Sequence, residues 1–305
     1  MGLFFKKEFE IKDGTLVRYN GKGGNVLVPD GVMRIGDKAF YECKRLTDVY
    51  LPEGLLSIGD QAFHHCTSLN FASIPQSVTE IGAYAFAGCH ALDGVVLPFG
   101  LSKIANGCFF FCEALQTMHI PNGVTSLGDA AFAWCKTLVQ LDLPAGLTEI
   151  GKRAFEYCQS LYRISIPESV TKIDTDAFHG CTSLDFTIYE GLKYLGNAVN
   201  PYLMLVSAVD QNCPSIKLPP DTKIIGSGAL ADCPYLRDLC LPDGLRYIGE
   251  KAFQRCPRLF QLSIPRSVCE MGAELGLDDG VTIYASAGSY AAEYAKCFEI
   301  KYYAI

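Results

Sequence analysis

One spacing constrains this chain more than any other feature, a unit of 23 residues that recurs over most of its length. Three residue types mark the unit. They are the cysteines Cys43, Cys66, Cys89, Cys112, Cys135, Cys158 and Cys181, the prolines Pro29, Pro52, Pro75, Pro98, Pro121, Pro144 and Pro167, and the phenylalanines Phe40, Phe63, Phe86, Phe109, Phe132, Phe155 and Phe178. A fixed period of this length predicts a solenoid, in which each unit buries its apolar face against its neighbours. The 305 residues are therefore expected to form one elongated domain.

Within a unit the apolar spacing changes from strand to turn. The stretch from Leu115 to Cys135 shows most of one unit and reads LQTMHIPNGVTSLGDAAFAWC. Met118 and Ile120 are two residues apart, as on one face of a strand, and the proline that follows ends the strand because it has no N–H. The V-x-x-L-G piece predicts a second extended run. Phe132 and Cys135 are three residues apart, which predicts a single helical or 3₁₀ turn that packs inward. Each coil should therefore carry a strand on one face and a short helical turn on the other.

The repeat also predicts the layout of the chain. We expect an N-terminal hairpin cap (1–25), regular coils (26–185), an irregular insertion (186–215), further regular coils (216–272) and a C-terminal cap (273–305). The hairpin is indicated by alternation around Asp13-Gly14. The insertion alternates around Leu203 and Leu205, which predicts an extra strand pair, either as a binding loop or as a degenerate coil with an outward hairpin. The C-terminal cap contains a predicted helix with Ser289 as its N-cap.

The 14 cysteines allow three interpretations. Nine of them fall in one column, which continues at Cys233 and Cys256. A column of small residues that points inward predicts a ladder of buried, reduced thiols, because free cysteine packs as a small hydrophobe. Some disulfides remain an alternative, since neighbouring coils lie close enough for them. A metal site is not expected, because no C-x-x-C pair exists and histidines beside cysteines are sparse.

Several function classes are disfavoured by composition and pattern. A net charge of −7 without a basic stripe argues against a nucleic-acid partner. No apolar run approaches the ~20 residues of a membrane span, and the first residues lack the features of a signal peptide. The five histidines lie in no cleft-like departure from the repeat, and the GKGG run at residues 21–24 lacks the strand–loop–helix context of a phosphate loop. We therefore expect no enzyme, no catalytic residues and no cofactor.

Two surfaces remain as candidates for binding a protein. On the strand face, the residues four and two before each proline should point outward; the candidates among them are Tyr50, Phe71, His119 and Arg163. The second surface is the position just before the ladder cysteine, where three consecutive coils carry Phe111, Trp134 and Tyr157. These rings are either stacked from coil to coil on a flank or exposed as an aromatic patch for a partner.

The motif itself points to a family. The pattern C-x-x-L-x-x-V-x-L-P-x-x-L-x-x-I-G-x-x-A-F runs from Cys43 to Phe63 and recurs from Cys66, Cys135 and Cys158. It resembles the BspA-like, treponemal-type leucine-rich repeat family over residues 26–271. The chain departs from the commoner leucine-rich repeats, because Pro-x-x-Val/Leu stands where those have an asparagine. The resemblance implies an α/β solenoid that is right-handed and curved, with a parallel β-sheet on the concave face.

Two functions follow as hypotheses. The family consists mostly of bacterial surface or secreted proteins used for adhesion and protein binding, so the resemblance implies a non-enzymatic module that binds a protein partner, for example in adhesion or host interaction. The alternative is a structural or self-associating intracellular scaffold; the predicted caps at both ends favour a monomer. The resemblance implies the cell surface or secretion, whereas the missing signal peptide and reduced cysteines favour the cytoplasm.

Overall fold

The structure is a computed structural model that describes residues 8–174, 176–212 and 215–305. The chain separates into two compact units. The first is formed by Met1–Ile164 and Asp176–Asp185, and the second by Ser165–Thr175 and Phe186–Ile305. In both units, strands one coil apart pair in parallel with a 23-residue offset, which confirms the predicted solenoid. The prediction of a single continuous domain stays a prediction.

The first unit begins with a hairpin, as the sequence predicts. Strand β1 (Phe9–Lys12) pairs antiparallel with β2 (Thr15–Tyr19). Asp13 and Gly14 between them have φ of 47° and 71°, the left-handed pair of residues that a two-residue hairpin turn of type I′ requires. The ring of Tyr19 stacks on Phe40 with centroids 4.9 Å apart, so the hairpin covers the first ring of the core. Residues 1–7 of the predicted cap lie outside the described residues.

The strands that directly precede the prolines form what we call the first strand face. In the first unit they make two parallel sheets. One consists of β3 (Gly24–Leu27), β5 (Leu46–Tyr50) and β7 (Phe71–Ser73), and the other of β10 (Thr117–His119), β12 (Gln140–Asp142) and β14 (Arg163–Ile164). Along β10, Met118 is buried and its two neighbours are exposed. This alternation confirms the predicted inward and outward positions.

The second strand face is formed by two-residue strands that follow the prolines. The hairpin strand β2 continues in parallel into β4 (Arg34–Ile35), β6 (Ser57–Ile58) and β8 (Glu80–Ile81), and a further group contains β9 (Lys103–Ile104), β11 (Ser126–Leu127) and β13 (Glu149–Ile150). In each of these strands after β2 the second residue is buried. The second extended run predicted for each coil is therefore present.

The turns that lead to the ladder cysteines differ from the regular helical turn expected from the sequence. In the first of them, the N–H groups of Lys38, Phe40 and Glu42 donate to carbonyl groups of the next coil at 2.7–2.9 Å. Only the N–H groups between them, such as that of Tyr41, can close local turns by donating to the carbonyl three residues back. Lys38 and Glu42 accordingly have φ of 58° and 56°. The segment is a series of turns because half of its donors stabilise the stacking of coils.

The core of the first unit is a column of rings beside a column of thiols. Six phenylalanines are completely buried, namely Phe40, Phe63, Phe86, Phe109, Phe132 and Phe155. The centroids of neighbouring rings are 4.9–5.7 Å apart. From Cys66 to Cys181, each ladder thiol donates to the carbonyl of a phenylalanine in the preceding coil, as Cys135 Sγ does to Phe109 O at 3.1 Å. Cys43 is only half-buried, because its place in the first coil leaves it without that preceding coil.

The second unit contains the residues at which an insertion is predicted. Its strands are β15 (Lys172–Ile173), β16 (Thr187–Tyr189), β17 (Leu192–Leu195), β18 (Met204–Ala208), β19 (Ile224–Ile225), β20 (Asp238–Cys240), β21 (Tyr247–Ile248), β22 (Gln261–Ile264), β23 (Glu270–Met271), β24 (Thr282–Ala285) and β25 (Lys301–Ala304). Strands β16, β17 and β18 are antiparallel, and β18 then pairs in parallel with β19. The extra strand pair predicted around Leu203 and Leu205 is thus confirmed, and the coil register resumes directly beside it.

A short helix closes the second unit. Helix α1 (Tyr290–Cys297) begins after Ser289, whose Oγ accepts the N–H of Ala292 at 3.3 Å, as predicted for the N-cap. Ala291 and Tyr294 of this helix pack on the core that also contains Phe253. The helix is followed by β25, which pairs in parallel with β24. Among the described residues, no helix is long and apolar enough to cross a membrane.

Candidate protein-binding surfaces

The outward residues of the first strand face carry an apolar surface in the first unit. Its members are Leu27 and Val96, each 73% exposed, and Tyr50 and Phe71, which are 42% and 43% exposed, together with Phe99, which directly follows Pro98 and is also 73% exposed. Leu27 lies opposite Tyr50 in the sheet, and the Tyr50 and Phe71 rings are 5.8 Å apart. Isolated exposed apolar residues are ordinary, but neighbours in one surface are typical of an interaction site. We call this set the apolar strip.

A groove interrupts the first strand face in the coil that starts at Cys89. It has a volume of about 770 Å³. The groove is lined by Phe71, Ala72, Ser73 and Ile74 of one coil, by Asp93, Gly94, Val95, Val96, Leu97 and Phe99 of the next, and by Thr117, Met118 and His119 of the third. Gly94 occupies an outward position without a side chain, and no atom lies within 4 Å of where its Cβ would be. The apolar strip therefore borders a depression rather than a flat sheet.

On the second strand face, the same coil does not pair with the coil before it. The N–H of Gly82 donates to Ile58 O at 2.8 Å and the N–H of Gly128 donates to Ile104 O at 2.8 Å, but the matching bond from Ala105 to Ile81 is missing. Strands β8 and β9 consequently belong to different sheets. A groove of about 360 Å³ lies here.

A change at the glycine that ends the second extended run accompanies this break. A Cβ at Gly82 would lie 2.6 Å from the backbone nitrogen of Asp60, and a Cβ at Gly128 would lie 2.6 Å from that of Asn106. Such contacts are too close, so glycine at these two positions lets each coil approach the coil before it. Ala105 occupies the position in the Cys89 coil, where the pairing is missing.

A side-chain hydrogen bond is also missing between the same two coils. The carboxylate of Asp60 accepts the backbone N–H of Ala83 at 2.7 Å, and the amide oxygen of Asn106 accepts that of Asp129 at 2.9 Å. These bonds join neighbouring coils 23 residues apart. Ala83 has no side-chain acceptor to continue the series to Asn106. On the turn side the joint stays closed, since the N–H of Phe86 donates to Cys108 O at 2.9 Å.

The aromatic residues before the ladder cysteines form a stack on the turn side. Phe111 lies parallel to Trp134 at 5.1 Å, and the ring of Tyr157 lies 4.3 Å from Trp134. The Nζ of Lys136 lies 5.5 Å from the Trp134 ring centroid and 2.6 Å from Glu113 Oε1. This hydrogen bond from Lys136 lowers the pKa of the Glu113 carboxyl. All three rings are half-buried.

Backbone conformation sets the direction of these side chains. Phe111, Trp134 and Tyr157 have φ of 59°, 65° and 56°. Left-handed backbone replaces the helical geometry expected at this position, and each ring leans over the same position of the next coil. A Cβ at Gly180 would collide with the Tyr157 ring, so glycine lets this last ring lie flat. The geometry agrees with the interpretation of the stack as coil-to-coil packing, while the role of these rings in binding stays a prediction.

The ladder thiols have little chemical reactivity of their own. Burial raises the pKa of the Cys89, Cys112 and Cys135 thiols well above the usual value near 9, and it raises the pKa of Cys181 to about 12. Neutral thiols are poor nucleophiles and poor metal ligands. Cys256 differs, because a hydrogen bond with Cys233 lowers its pKa. Within the described residues, no group of three or more His, Cys, Asp and Glu side chains could hold a metal ion.

A second groove lies on the first strand face of the second unit. It has a volume of about 770 Å³ and borders Lys217, Asp238, Cys240 and Asp243. Its rim is more polar than that of the groove in the first unit. The insertion contributes an antiparallel sheet in which Ile188 is 56% exposed at the outer strand. The apolar strip in the first unit is therefore the stronger candidate site.

The structure separates the predicted site residues into two groups. Tyr50, Phe71 and His119 lie on or beside the groove, whereas Arg163 lies two strands further along and its guanidinium is 5.3 Å from the Tyr162 ring. The aromatic stack lies on the turn side of the coils. Sequence reasoning left Phe99 out, although its column offered a signal. The other regular coils of this unit carry Asp30, Glu53, Gln76, Asn122 and Ala145 there, so a phenylalanine stands out.

Comparison with known families and structures agrees with this geometry. The model of the BspA type leucine rich repeat region matches in six copies, over residues 19–139, 79–202 and 209–275. The chain belongs to this family. No curated protein is similar enough to count as a match.

Two solved structures of leucine-rich repeat proteins are similar to the chain. A leucine rich cell surface protein from Faecalibacterium prausnitzii is 26% identical with a TM-score of 0.57, and the match covers 94% of each chain. The leucine rich repeat protein of T. pallidum is 34% identical with a TM-score of 0.55, over 58% of this chain and 87% of that one. The BspA-type family chain is thus similar to a bacterial surface protein over nearly its full length.

Proposed function

We propose that the chain is a non-enzymatic protein-binding module that presents the first strand face of its first unit to a partner protein. The observation that carries the proposal is the apolar strip, in which Tyr50, Phe71, Val96 and Phe99 are exposed on neighbouring coils. Water-exposed apolar side chains of this size are stabilised when a partner covers them. Aromatic residues in such a surface are typical of the anchors that dominate binding energy.

The surroundings of the strip support the same role. Asp48, Asp93 and His119 give it a polar rim, as in protein interfaces with an apolar centre. The strip lies on paired strands or beside them, so little conformational entropy would be lost on binding. The relative from F. prausnitzii is described as a cell surface protein, which supports the finer proposal of a role at a bacterial surface, in adhesion or host interaction.

The aromatic stack is the second candidate surface. Phe111, Trp134 and Tyr157 already cover each other's faces, so they offer mainly ring edges to a partner. The two surfaces make different predictions for variants, and one experiment can separate them.

The experiment is selection of binders from a displayed peptide library on the immobilised chain. Parallel selections use a Val96→Asp/Phe99→Asp variant, a Val139→Asp variant and a Trp134→Ser variant. Val139 is an exposed valine in a neighbouring coil outside the groove, so it controls for the added charge. We expect clones that bind the native chain and the Val139 and Trp134 variants but not the double variant.

Other results would contradict the proposal. Clones that bind all four proteins equally, or no enrichment at all, would show that the apolar strip is not a binding surface. Clones lost only on Trp134→Ser would place the site on the turn side. The alternative of a self-associating scaffold predicts a dimer or larger species in sedimentation velocity, which the double variant would dissociate if the strip covers a second copy.

A further inference from the structure

The groove differs from the rest of the first strand face in its main chain. Before three other strands of this face the residue that precedes the strand donates to the preceding coil: Asn70 to Thr47 O at 3.0 Å, Val139 to Gln116 O at 2.9 Å and Tyr162 to Val139 O at 3.1 Å. The matching N–H groups of Asp93 and Gln116 make no such bond. Among the described residues, no backbone hydrogen bond joins residues 93–97 to β7 or to β10.

This leaves unpaired strand edges beside one another. The outer edge of β7, both edges of residues 93–97 and the outer edge of β10 all face the groove. Val95 is partly exposed, although the inward residues at the same position in the adjacent coils, Ala72 and Met118, are buried. Unpaired N–H and C=O groups at an accessible edge are a template for another strand.

The side chains at the groove indicate what kind of strand fits. Phe71, Val96 and Phe99 form apolar walls, so apolar residues at alternate positions of a bound strand would be covered. Asp93 lines the groove and Asp48 lies opposite Phe71 in the neighbouring strand. Neither carboxylate has a hydrogen-bond or ion-pair partner within the described residues, so a basic residue in the bound segment would be complementary.

From these three features we infer that the groove binds an extended segment of a partner protein by strand addition. The segment has apolar residues at alternate positions and a lysine or arginine beside them. Its backbone pairs with the free edges, which gives affinity, while the apolar walls and the carboxylates select its side chains. A helical segment would leave the edges unpaired, because its own N–H and C=O groups are already bonded. The inference rests on the proposed function and names the partner's chemistry.

The test uses synthetic peptides whose main chain can be altered without changing their side chains. The parent peptide is about nine residues long, matching a strand, with valine at alternate positions, one lysine, and serine or threonine elsewhere. Two analogues carry N-methyl groups, one on the odd and one on the even amides. Binding to the full chain is measured by fluorescence anisotropy. We expect at least one analogue to bind about tenfold more weakly or worse, because N-methylation removes the donors of one edge.

Variants of the chain complete the test. Val96→Asp should weaken the parent peptide by about tenfold or more, and Val139→Asp should leave the affinity nearly unchanged. Asp93→Asn should reduce the dependence of affinity on salt, because it removes the charge that faces the lysine.

Three results would overturn the inference. They are no saturable binding of the parent peptide at about millimolar concentration, binding of both methylated analogues with the same affinity as the parent peptide, or a chain dimer that Val96→Asp dissociates. Undiminished affinity of both analogues, combined with library clones that still need Val96 and Phe99, would leave the proposed function standing and remove strand addition alone.

Discussion

Replacing Phe132 with alanine should be far more damaging than replacing Trp134, although tryptophan is larger. Phe132 is completely buried, and its ring lies 5.5 Å from Phe109 and 5.6 Å from Phe155. Truncation of such a ring removes its burial and leaves a cavity, which costs about 3–5 kcal/mol. The loss affects the interfaces with both neighbouring coils, and solenoid stability is a sum of such interfaces.

Truncating Trp134 should cost less stability, because part of its side-chain surface already faces water. Its truncation removes two ring contacts, with Phe111 and Tyr157, each worth about 0.5–1.5 kcal/mol. It also removes the contact with the Lys136 ammonium, worth about 0.5–1 kcal/mol at an exposed site. Because Trp134 is only half-buried, solvent weakens these contacts, and we expect a net loss of stability of about 1–2 kcal/mol.

Urea unfolding of the two variants measures the difference. Trp134 is the only tryptophan, so unfolding must be followed by circular dichroism rather than by fluorescence. Phe132→Leu is the control, because it keeps most of the apolar volume and should lose less than Phe132→Ala. Equal losses for Phe132→Ala and Trp134→Ala would refute the reasoning. They would place Trp134 in the core and remove it, with its two neighbours in the stack, from the candidate binding residues.

Three further predictions concern the column of cysteines and the break between coils at Ala83 and Ala105. Alkylation of the native chain, mapped by mass spectrometry, should modify the exposed Cys240, Cys269 and Cys297 and leave the buried ladder thiols intact. In denaturant without reductant, all 14 cysteines should react, and ten or fewer reactive cysteines would indicate disulfides. The folded chain retains the proton of Cys181 up to about pH 12, whereas the unfolded chain loses it near pH 9, so this thiol should lower the stability by about 1.4 kcal/mol per pH unit over this window. Cys181→Ala should make the slope of unfolding free energy against pH shallower by about that amount, and the exposed Cys240→Ala should leave the slope unchanged. The double variant Ala83→Asp/Ala105→Gly should restore the missing hydrogen bonds between coils and raise the urea midpoint. We expect a gain in unfolding free energy of about 1 kcal/mol after the backbone entropy of glycine is subtracted. Slower amide exchange at residue 105 would support this prediction, and a lowered midpoint would contradict it.

Much of the fold could be predicted because each coil repeats the same pattern of apolar residues, proline and glycine. The two-residue spacing of Met118 and Ile120 determines which side chains are buried, and the Asp13-Gly14 pair determines a hairpin turn. The turns at the ladder cysteines were harder to predict. Their N–H groups divide between local turns and the next coil, and that division depends on how the coils stack.

The candidate site also depends on contacts between coils that the sequence pattern does not show. Tyr50 and Phe71 were identified as outward residues from their register alone, but their closeness to Val96 and Phe99 depends on contacts between coils. Arg163 has the same register and lies outside the groove.

The amino-acid sequence by itself determined the solenoid, the inward columns of phenylalanine and cysteine, the first hairpin and the last helix, because burial and turn geometry depend on residues close together in the chain. Only the tertiary structure decided where the stack of coils opens. Ala83, Gly94 and Ala105 are each small changes within the repeat. At Gly82 and Gly128 a Cβ would lie 2.6 Å from the backbone of the coil before it, and side-chain acceptors join residues 23 positions apart; the opening lies between the two coils in which alanine replaces the acceptor of one and the glycine of the next.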